Sequence, residues 1–330
     1  MSGARLTGGR ARPLRGIGVG GTIEAQQYVR VLRVGLVAGH RIGTVCDRLV
    51  ELGAVRVNDP AAPSSLDEPG VVLVDLADVM RDGRYQHLVV DVGRLDTGEG
   101  AAGIQAADVT IERSASEEEL VATIEALWRE RLTVFEENLR TRRRAPRRRT
   151  PVLAGPDASW SSDAARLVDR VQAAVGGLAL RIDHIGSTSV PTLRAKDLLD
   201  IQVTVRDQDD AAAAALAARD AGFVHVEGEW FGEDRFGAQH PEQVAVDADP
   251  GRPTNVNFRP VTAPAWRDAL LFRDWLRSRP DERSAYEAMK QALTAPGDVH
   301  VDRYSEEKMP WIRAGLARAE QWALDTGWAP

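Results

Sequence analysis

Apolar and polar residues alternate most regularly between Leu178 and Val205. Leu199, Ile201, Val203 and Val205 fall on one side of a two-residue period and Asp200, Gln202 and Thr204 on the other, which predicts a strand over Leu198–Val205. A preceding strand is expected over Leu178–Ile185, where Leu178, Leu180 and Ile182 oppose Arg181 and Asp183. Gly186 and Ser187 form the turn after it. A strand with an intact apolar face and a carboxylate and an amide gathered on the other is suited to wall a site.

The flanking periods extend this unit. Ala164, Leu167, Val168, Val171 and Val175 make one stripe of a helix over Ser161–Val175, ended by Gly176 and Gly177. After the central strands come an Ala-rich helix at Asp209–Ala221, a strand at Phe223–Glu227, a loop carrying Trp230 and Phe231, and a strand at Thr254–Arg259. Helices follow at Ala263–Arg279 and Asp281–Leu293, and a last one runs from about Pro310 to before Gly327. In the first half, strands at Val31–Val37, Val55–Val57, Val71–Leu76, His87–Val92 and Asp108–Ile111 alternate with helices, one ending at Leu52 and one capped by Ser116 ahead of Glu117, Glu118 and Glu119. Strands alternating with helices imply a parallel α/β sheet. The second helix reads as continuous from Leu120 to Arg144.

With 330 residues, two domains are expected. The divisions read as a disordered Gly- and Arg-rich extension at 1–30, an α/β domain at 31–144, an Arg/Pro linker at 145–151 and a second domain at 152–330. The net charge of -7 argues against general affinity for nucleic acid. Six arginines between Arg142 and Arg149 are the local exception: they can contact RNA, an acidic partner or a nucleotide tail, or lie solvated in the linker. Cys46 is the sole cysteine, which excludes an internal disulfide and a multi-cysteine metal site. No apolar run is long enough to span a bilayer, so no membrane association and a cytoplasmic address are expected. Trp266, Trp275, Trp311 and Trp322 sit at helical intervals and read as core, and His225, His240 and His300 lack ligand spacing with one another for zinc.

The stretch VGLVAGHRIGTVCDRLVELGAVRVND resembles the opening of dephospho-CoA kinase. VVDVGRLDTGEGA and AADVTIERSASEEELVATIEALW resemble that family's later strand and its last strand and helix. A phosphate-holding loop of that family needs G-x-x-x-x-G-K-[ST], with backbone amides, a lysine and a hydroxyl around the phosphates and Mg²⁺. In this register Ala38 stands at the first Gly, Gly43 is kept, Thr44 stands at the Lys and Val45 at the hydroxyl. His40 and Arg41 can touch an anion or be solvated, and Asp91 ends a strand either as a Mg²⁺ remnant or as a turn residue. An inactive kinase-like domain is expected, because phosphoryl transfer rests on the groups that are missing.

From about Val152 to Trp328 the chain resembles the GrpB family, through DHIGSTSVPTLRAKDLLDIQVTV, GRPTNVNFR, ALLFRDWLR and KMPWIRAGLARAEQWALDTGW; Thr192 departs from the usual Gly. A fusion of the two kinds of domain is known in actinobacteria. The resemblance implies a nucleotidyltransferase-like α+β fold in which a Gly-Ser turn holds phosphates and a strand presents two metal-binding carboxylates. Asp200 takes the first such position, Gln202 the second, and Asn255 or Asn257 the third. Asp200, Gln202 and His184 are then the candidate catalytic residues, and Gly186, Ser187, Thr188, Ser189, Arg194, Lys196, Asn255, Asn257 and Arg259 the candidate nucleotide ligands. Asp200, with Asp197, is the candidate for Mg²⁺. Bland roles stand beside these. Ser187, Thr188 and Ser189 can cap a turn, Arg194 and Lys196 can be surface charges, and His184 can be a hydrogen-bonded structural residue. The implied partner is a nucleotide, ATP among them, or another phosphorylated small molecule. Three functions follow: a nucleotide-dependent transferase or ligase-type enzyme, placed in specialised rather than housekeeping metabolism; a non-catalytic nucleotide-, CoA- or partner-binding module; or dephospho-CoA kinase, which the eroded loop disfavours.

Overall fold

The computed structural model describes residues 31–37, 42–56, 70–75, 88–92, 109–111 and 116–330. The expected extension at 1–30, the turn with Ala38, His40 and Arg41, the strand end at Asn58, Asp59 and Pro60, and the loop after Val92 lie outside the described residues, as does the side chain of Asp91.

Strands β1 (Val31–Val37), β2 (Val55–Arg56), β3 (Gly70–Asp75), β4 (Leu88–Val92) and β5 (Val109–Ile111) make a parallel sheet in the order β2-β3-β1-β4-β5. Helix α1 (Ile42–Glu51) buries Val45, Cys46 and Leu49 against Val34 and Val90. Thr44 is exposed. Helix α2 (Glu117–Leu127) starts on a capping box: the Ser116 hydroxyl accepts from the Glu119 N–H at 3.2 Å, and the Glu119 carboxylate accepts from the Ser116 N–H at 2.7 Å.

The helix after Ser116 is not the uniform one expected. It widens into a π-turn at Trp128–Leu132, resumes as α3 (Thr133–Thr141) and stops at Arg142, whose φ of +55° ends it. The π-turn carries Arg131, whose guanidinium grips Asp249 of the second half with two bonds of 2.9 and 2.7 Å. The Asn138 amide donates to the Ala248 carbonyl at 2.8 Å, and Ala248 packs in the same apolar core as Leu120, Ile124 and Phe135. The two halves thus meet through packing and a buried ion pair. Gly251 is required there, since a Cβ would collide with the Arg131 side chain.

The second half begins with α4 (Ser159–Val175) and β6 (Arg181–Ile185), the latter shorter than the Leu178–Ile185 expectation because Gly176–Leu178 coil into a 3₁₀ turn. Then follow β7 (Leu199–Val205), α5 (Gln208–Ala217), β8 (Phe223–His225), β9 (Trp230–Glu233), β10 (Gln239–Asp247) and β11 (Thr254–Pro260). The sheet order is β6-β7-β11-β10-β8, with β9 paired to β10; β7 and β11 are parallel, and the pairs β6–β7 and β10–β11 antiparallel. Trp230 and Phe231 therefore stand on a strand, where a loop is expected. β10 escapes prediction because its first half is polar and interrupted by Pro241, which removes the alternation that marks a strand.

The apolar face of β7 behaves as its period requires. Leu199, Ile201, Val203 and Val205 are fully buried beneath α4 and α5, which contribute Leu167, Val171, Ala211 and Ala214. The opposite face of β7 and β11 lies under α6 (Ala265–Ser278), α7 (Pro280–Thr294), α8 (Val301–Glu307) and α9 (Met309–Thr326). These helices share an aromatic cluster in which Tyr286 stacks on Trp311 at 4.9 Å and meets Phe272 edge-on at 5.3 Å. Trp275 is buried and Trp311 and Trp322 pack against the same core, whereas Trp266 is half-buried and donates to the Val261 carbonyl at 2.9 Å. Helix α8 is a further departure: with Tyr304 its one buried residue, it carries no apolar stripe to read. Among the described residues no helix is long and apolar enough to cross a membrane.

The seam between the halves gives a direct test. Asp249→Ala removes the carboxylate that the largely buried Arg131 guanidinium grips with two bonds, and a loss of about 3 kcal/mol is expected in denaturant unfolding. An unchanged unfolding midpoint would contradict this role.

Candidate functional site

Gly186 and Asp200 set the geometry. Gly186 adopts φ +71° and ψ −172°, and a Cβ added there would lie 2.5 Å from Asp200 Oδ2. Both the backbone angle and the close approach demand glycine. β6 and β7 pair in a register that sets Ile185 opposite Asp200, so the turn after Ile185 lands against the Asp200 carboxylate.

The neighbouring polar side chains are held by one another. Asn255, across from Asp200 on β11, donates from Nδ2 to Asp200 Oδ1 at 2.9 Å, while its Oδ1 accepts from Arg147 Nη1 at 2.7 Å. Its amide orientation follows from those two bonds. Arg147 also pairs with Asp247 and donates to the Thr254 carbonyl at 2.6 Å. Burial pushes the Asp247 carboxyl up, and Arg147 together with the Thr254 N–H opposes that shift. Arg147 is therefore no solvated linker arginine. Ala145, two residues earlier, is buried and its N–H donates to the Asp247 carbonyl at 3.0 Å.

One register step along, Gln202 faces Asn257 and is fully buried. Its amide nitrogen donates to the Trp266 carbonyl at 3.0 Å and its oxygen accepts from Arg259 Nη1 at 2.8 Å. Arg259 Nε donates to Glu242 at 2.6 Å. Gln202 thus positions Arg259 rather than presenting an atom to a ligand.

Between this polar face and the helical layer lies a cavity of about 360 Å³. Its wall includes Gly186, Ser187, Lys196, Asp200, Asn255, Asn257 and Arg259, so seven of the sequence candidates meet in one place. Phe272, Tyr286 and Tyr304 supply aromatic surface, and Lys308 a further cation. Lys196 and Lys308 hold their ammonium groups 5.4 and 5.8 Å from the Tyr304 ring centre. Burial lowers the Lys196 amine to about 8, with Lys308 pushing the same way and Asp200 opposing.

Other candidates fall elsewhere. His184 Nε2 lies 3.0 Å from the Thr188 hydroxyl, and burial, with Arg277 and Arg273 beside it, lowers its pKa to about 4. It is neutral near pH 7 and its ring nitrogen is engaged by Thr188. Thr188 and Ser189 are buried, their hydroxyls donating to the carbonyls of Leu198 at 3.3 Å and Gly186 at 2.6 Å. The Arg194 side chain is turned to the Leu153 carbonyl at 3.3 Å. Asp197 pairs with Arg252 and accepts from Trp160 Nε1 at 2.9 Å, outside the cavity wall. It is thus separated from Asp200.

The donor set does not fit a two-metal centre. Asp200 has one oxygen engaged by Asn255, Asn255 has its oxygen engaged by Arg147, and Glu233 and Asp268 on the far wall lie beside Arg313 at 2.5 Å and Arg235 at 3.6 Å. Among the described residues no cluster of three or more acidic, histidine or cysteine side chains is arranged for a metal ion.

Sequence reasoning misses Arg147, the α8 residues and Lys290, a buried α7 side chain whose amine lies 3.4 Å from the Ser187 hydroxyl. Lys290 was legible in one respect: it stands four residues after Tyr286, on the helix face that carries the apolar stripe.

Fold and cavity together define a mixed α/β protein with a cationic, partly aromatic pocket on the polar face of a sheet. The family profile described as "GrpB protein" matches residues 150–318. The chain belongs to the GrpB family. A UPF0157 protein of Streptomyces coelicolor is 35% identical, the match covering 50% of this chain and 85% of that one. A protein of Mycolicibacterium paratuberculosis named dephospho-CoA kinase is 38% identical over 242 residues, covering 68% of this chain. That span exceeds the GrpB match and takes in part of the N-terminal half, while this chain spans 59% of the kinase's length. The crystal structure of GrpB from Enterococcus faecalis aligns with a TM-score of 0.42 at 20% identity, covering 52% of this chain and 99% of that one.

Two substitutions test the site. Thr192, at the family's usual Gly position, has φ +65°, a conformation costly for a β-branched residue. Thr192→Gly is expected to raise stability by about 0.5–1 kcal/mol in chemical denaturation, after the entropy cost of the added glycine. Arg147→Met leaves Asp247 buried without its cation and is expected to lose about 3 kcal/mol in the same measurement.

Proposed function

We propose that the GrpB domain binds a nucleotide or another phosphorylated small molecule in this cavity and acts as a nucleotide-dependent transferase or ligase-type enzyme. The observation that carries the reading is the meeting of the Gly186–Ser187 turn, Lys196, Arg259 and Asp200 on one wall. Ser187 and Lys196 are placed to hold phosphate oxygens. Arg259, fixed in direction by Glu242 and Gln202, adds a rigid guanidinium for developing negative charge. Asp200 orients an acceptor hydroxyl or amine. Mg²⁺ enters only as a companion of the phosphates, since among the described residues no cluster of three or more acidic, histidine or cysteine side chains is arranged for it.

The N-terminal half is read as an inactive kinase-like domain. Val45, where a hydroxyl ligand is required, is buried in the core, and Thr44 brings no charge. This reading gives no ATP-dependent phosphorylation of dephospho-CoA. A second reading, binding without catalysis, draws support from Gln202 and Asn255, whose amides are both spent on neighbours.

Thermal unfolding of the full chain with ATP, other nucleoside triphosphates, CoA and dephospho-CoA, each with and without Mg²⁺, tests the proposal. A bound nucleotide at 100 times its Kd stabilises by about 2.7 kcal/mol. Lys196→Met is expected to abolish the shift. Because the charged amine is the binding form, affinity should fall as pH rises through about 8. Product formation with ATP selects the enzyme over the binding module, and absence of any nucleotide shift contradicts both.

A further inference from the structure

Lys290 is 1% exposed, and its amine lies behind the cavity wall, 3.4 Å from the Ser187 hydroxyl. It donates to the Arg194 carbonyl and sits 4.7 Å from the Tyr286 ring centre. Ser187 itself opens on the cavity. A hydroxyl at a cavity surface with a buried amine behind it is the arrangement of a serine nucleophile and its lysine base.

From this geometry we propose that Ser187 and Lys290 form a catalytic dyad for acyl transfer, acting on an activated carboxylic ester or thioester that carries an anionic group for Lys196 and Lys308. Burial lowers the Lys290 amine to about 7, so much of it is neutral at physiological pH. The charged groups facing it are Lys308 at the end of α8, which adds to the shift, and Glu287 on its own helix, which opposes it. From the turn it meets only the Ser187 hydroxyl and the Arg194 carbonyl. A neutral amine donates to that carbonyl and keeps its lone pair for the Ser187 proton.

The step balances. Ser187 Oγ attacks the acyl carbon while its proton passes to Lys290. The bond from the acyl carbon to the leaving oxygen or sulfur breaks, and Lys290 returns the proton to the leaving group. Water then attacks the acyl-serine, giving a proton to Lys290 and releasing the carboxylic acid, and Lys290 restores the proton to Ser187. This chemistry uses the same cavity as the nucleotide reading but does not depend on it.

The test is covalent labelling of the full chain with a fluorophosphonate, read by intact mass and peptide mapping. One adduct on Ser187, formed with loss of fluoride, is expected, and none in Ser187→Ala. Its rate should rise with pH through about 7 as Lys290 gives up its proton. The rate should drop at least about 100-fold in Lys290→Met and in Lys290→Arg, the latter keeping the charge without the base. No adduct on Ser187, a wild-type rate in Lys290→Met, or a flat pH profile for the wild-type protein would overturn the proposal. The pH profile needs no variant, so a folding defect in Lys290→Met cannot obscure the result. A nucleotide-induced thermal shift without labelling sinks the dyad alone, and labelling without that shift sinks the nucleotide reading alone.

Discussion

The C-terminal half depends on the alternation of two parallel strands. β7 and β11 lie side by side in a register that sets Asp200 against Asn255 and Gln202 against Asn257. With a side-chain period of two, the residues between them form a dry face, and a slip of one residue would exchange the faces. Burial of Leu199, Ile201, Val203 and Val205 fixes that register, and the polar row opposite is placed as a consequence. The Gly186 turn then closes on Asp200, where only glycine fits.

Buried polar groups in this row are matched to one another. Asp247, Arg147, Asn255 and Asp200 form one chain of contacts, and Glu242, Arg259, Gln202 and the Trp266 carbonyl another. Such networks define direction more than they add stability, because each charge gives up its hydration to enter them. The first chain also reaches back beyond the start of the family match. Arg147 precedes the 150–318 family match, so a residue from the connecting segment helps hold a GrpB side chain in place. The same segment reaches the far wall, where the Val301 N–H at the start of α8 donates to the Arg149 carbonyl at 2.8 Å. Together with the Arg131–Asp249 pair, these contacts make the join a structural part of the site.

Much of this is legible in the sequence, for stated reasons. The alternation from Leu199 to Val205 reveals both faces of β7, and the Gly-Ser turn with Asp200 points to the cavity. Alternation alone cannot say which polar residues of a face reach open space. Gln202 is covered by Arg259 and the first turn of α6, and Asn255 is shared between Arg147 and Asp200. Six arginines within eight residues conceal the one that inserts, since the side chains are identical and the choice is made by the position of Asp247 on a strand that Pro241 hides. Lys290 is hidden by type, for a lysine on a helix is ordinarily read as solvent-facing.

A crystal structure of the full chain with a non-hydrolysable ATP analogue tests the central claim most directly. The account predicts phosphate oxygens within hydrogen-bond distance of Ser187 Oγ and Lys196 Nζ, with the Arg259 guanidinium facing them. A nucleotide bound only at the N-terminal sheet, or an analogue that leaves this cavity empty at saturating concentration, would contradict it.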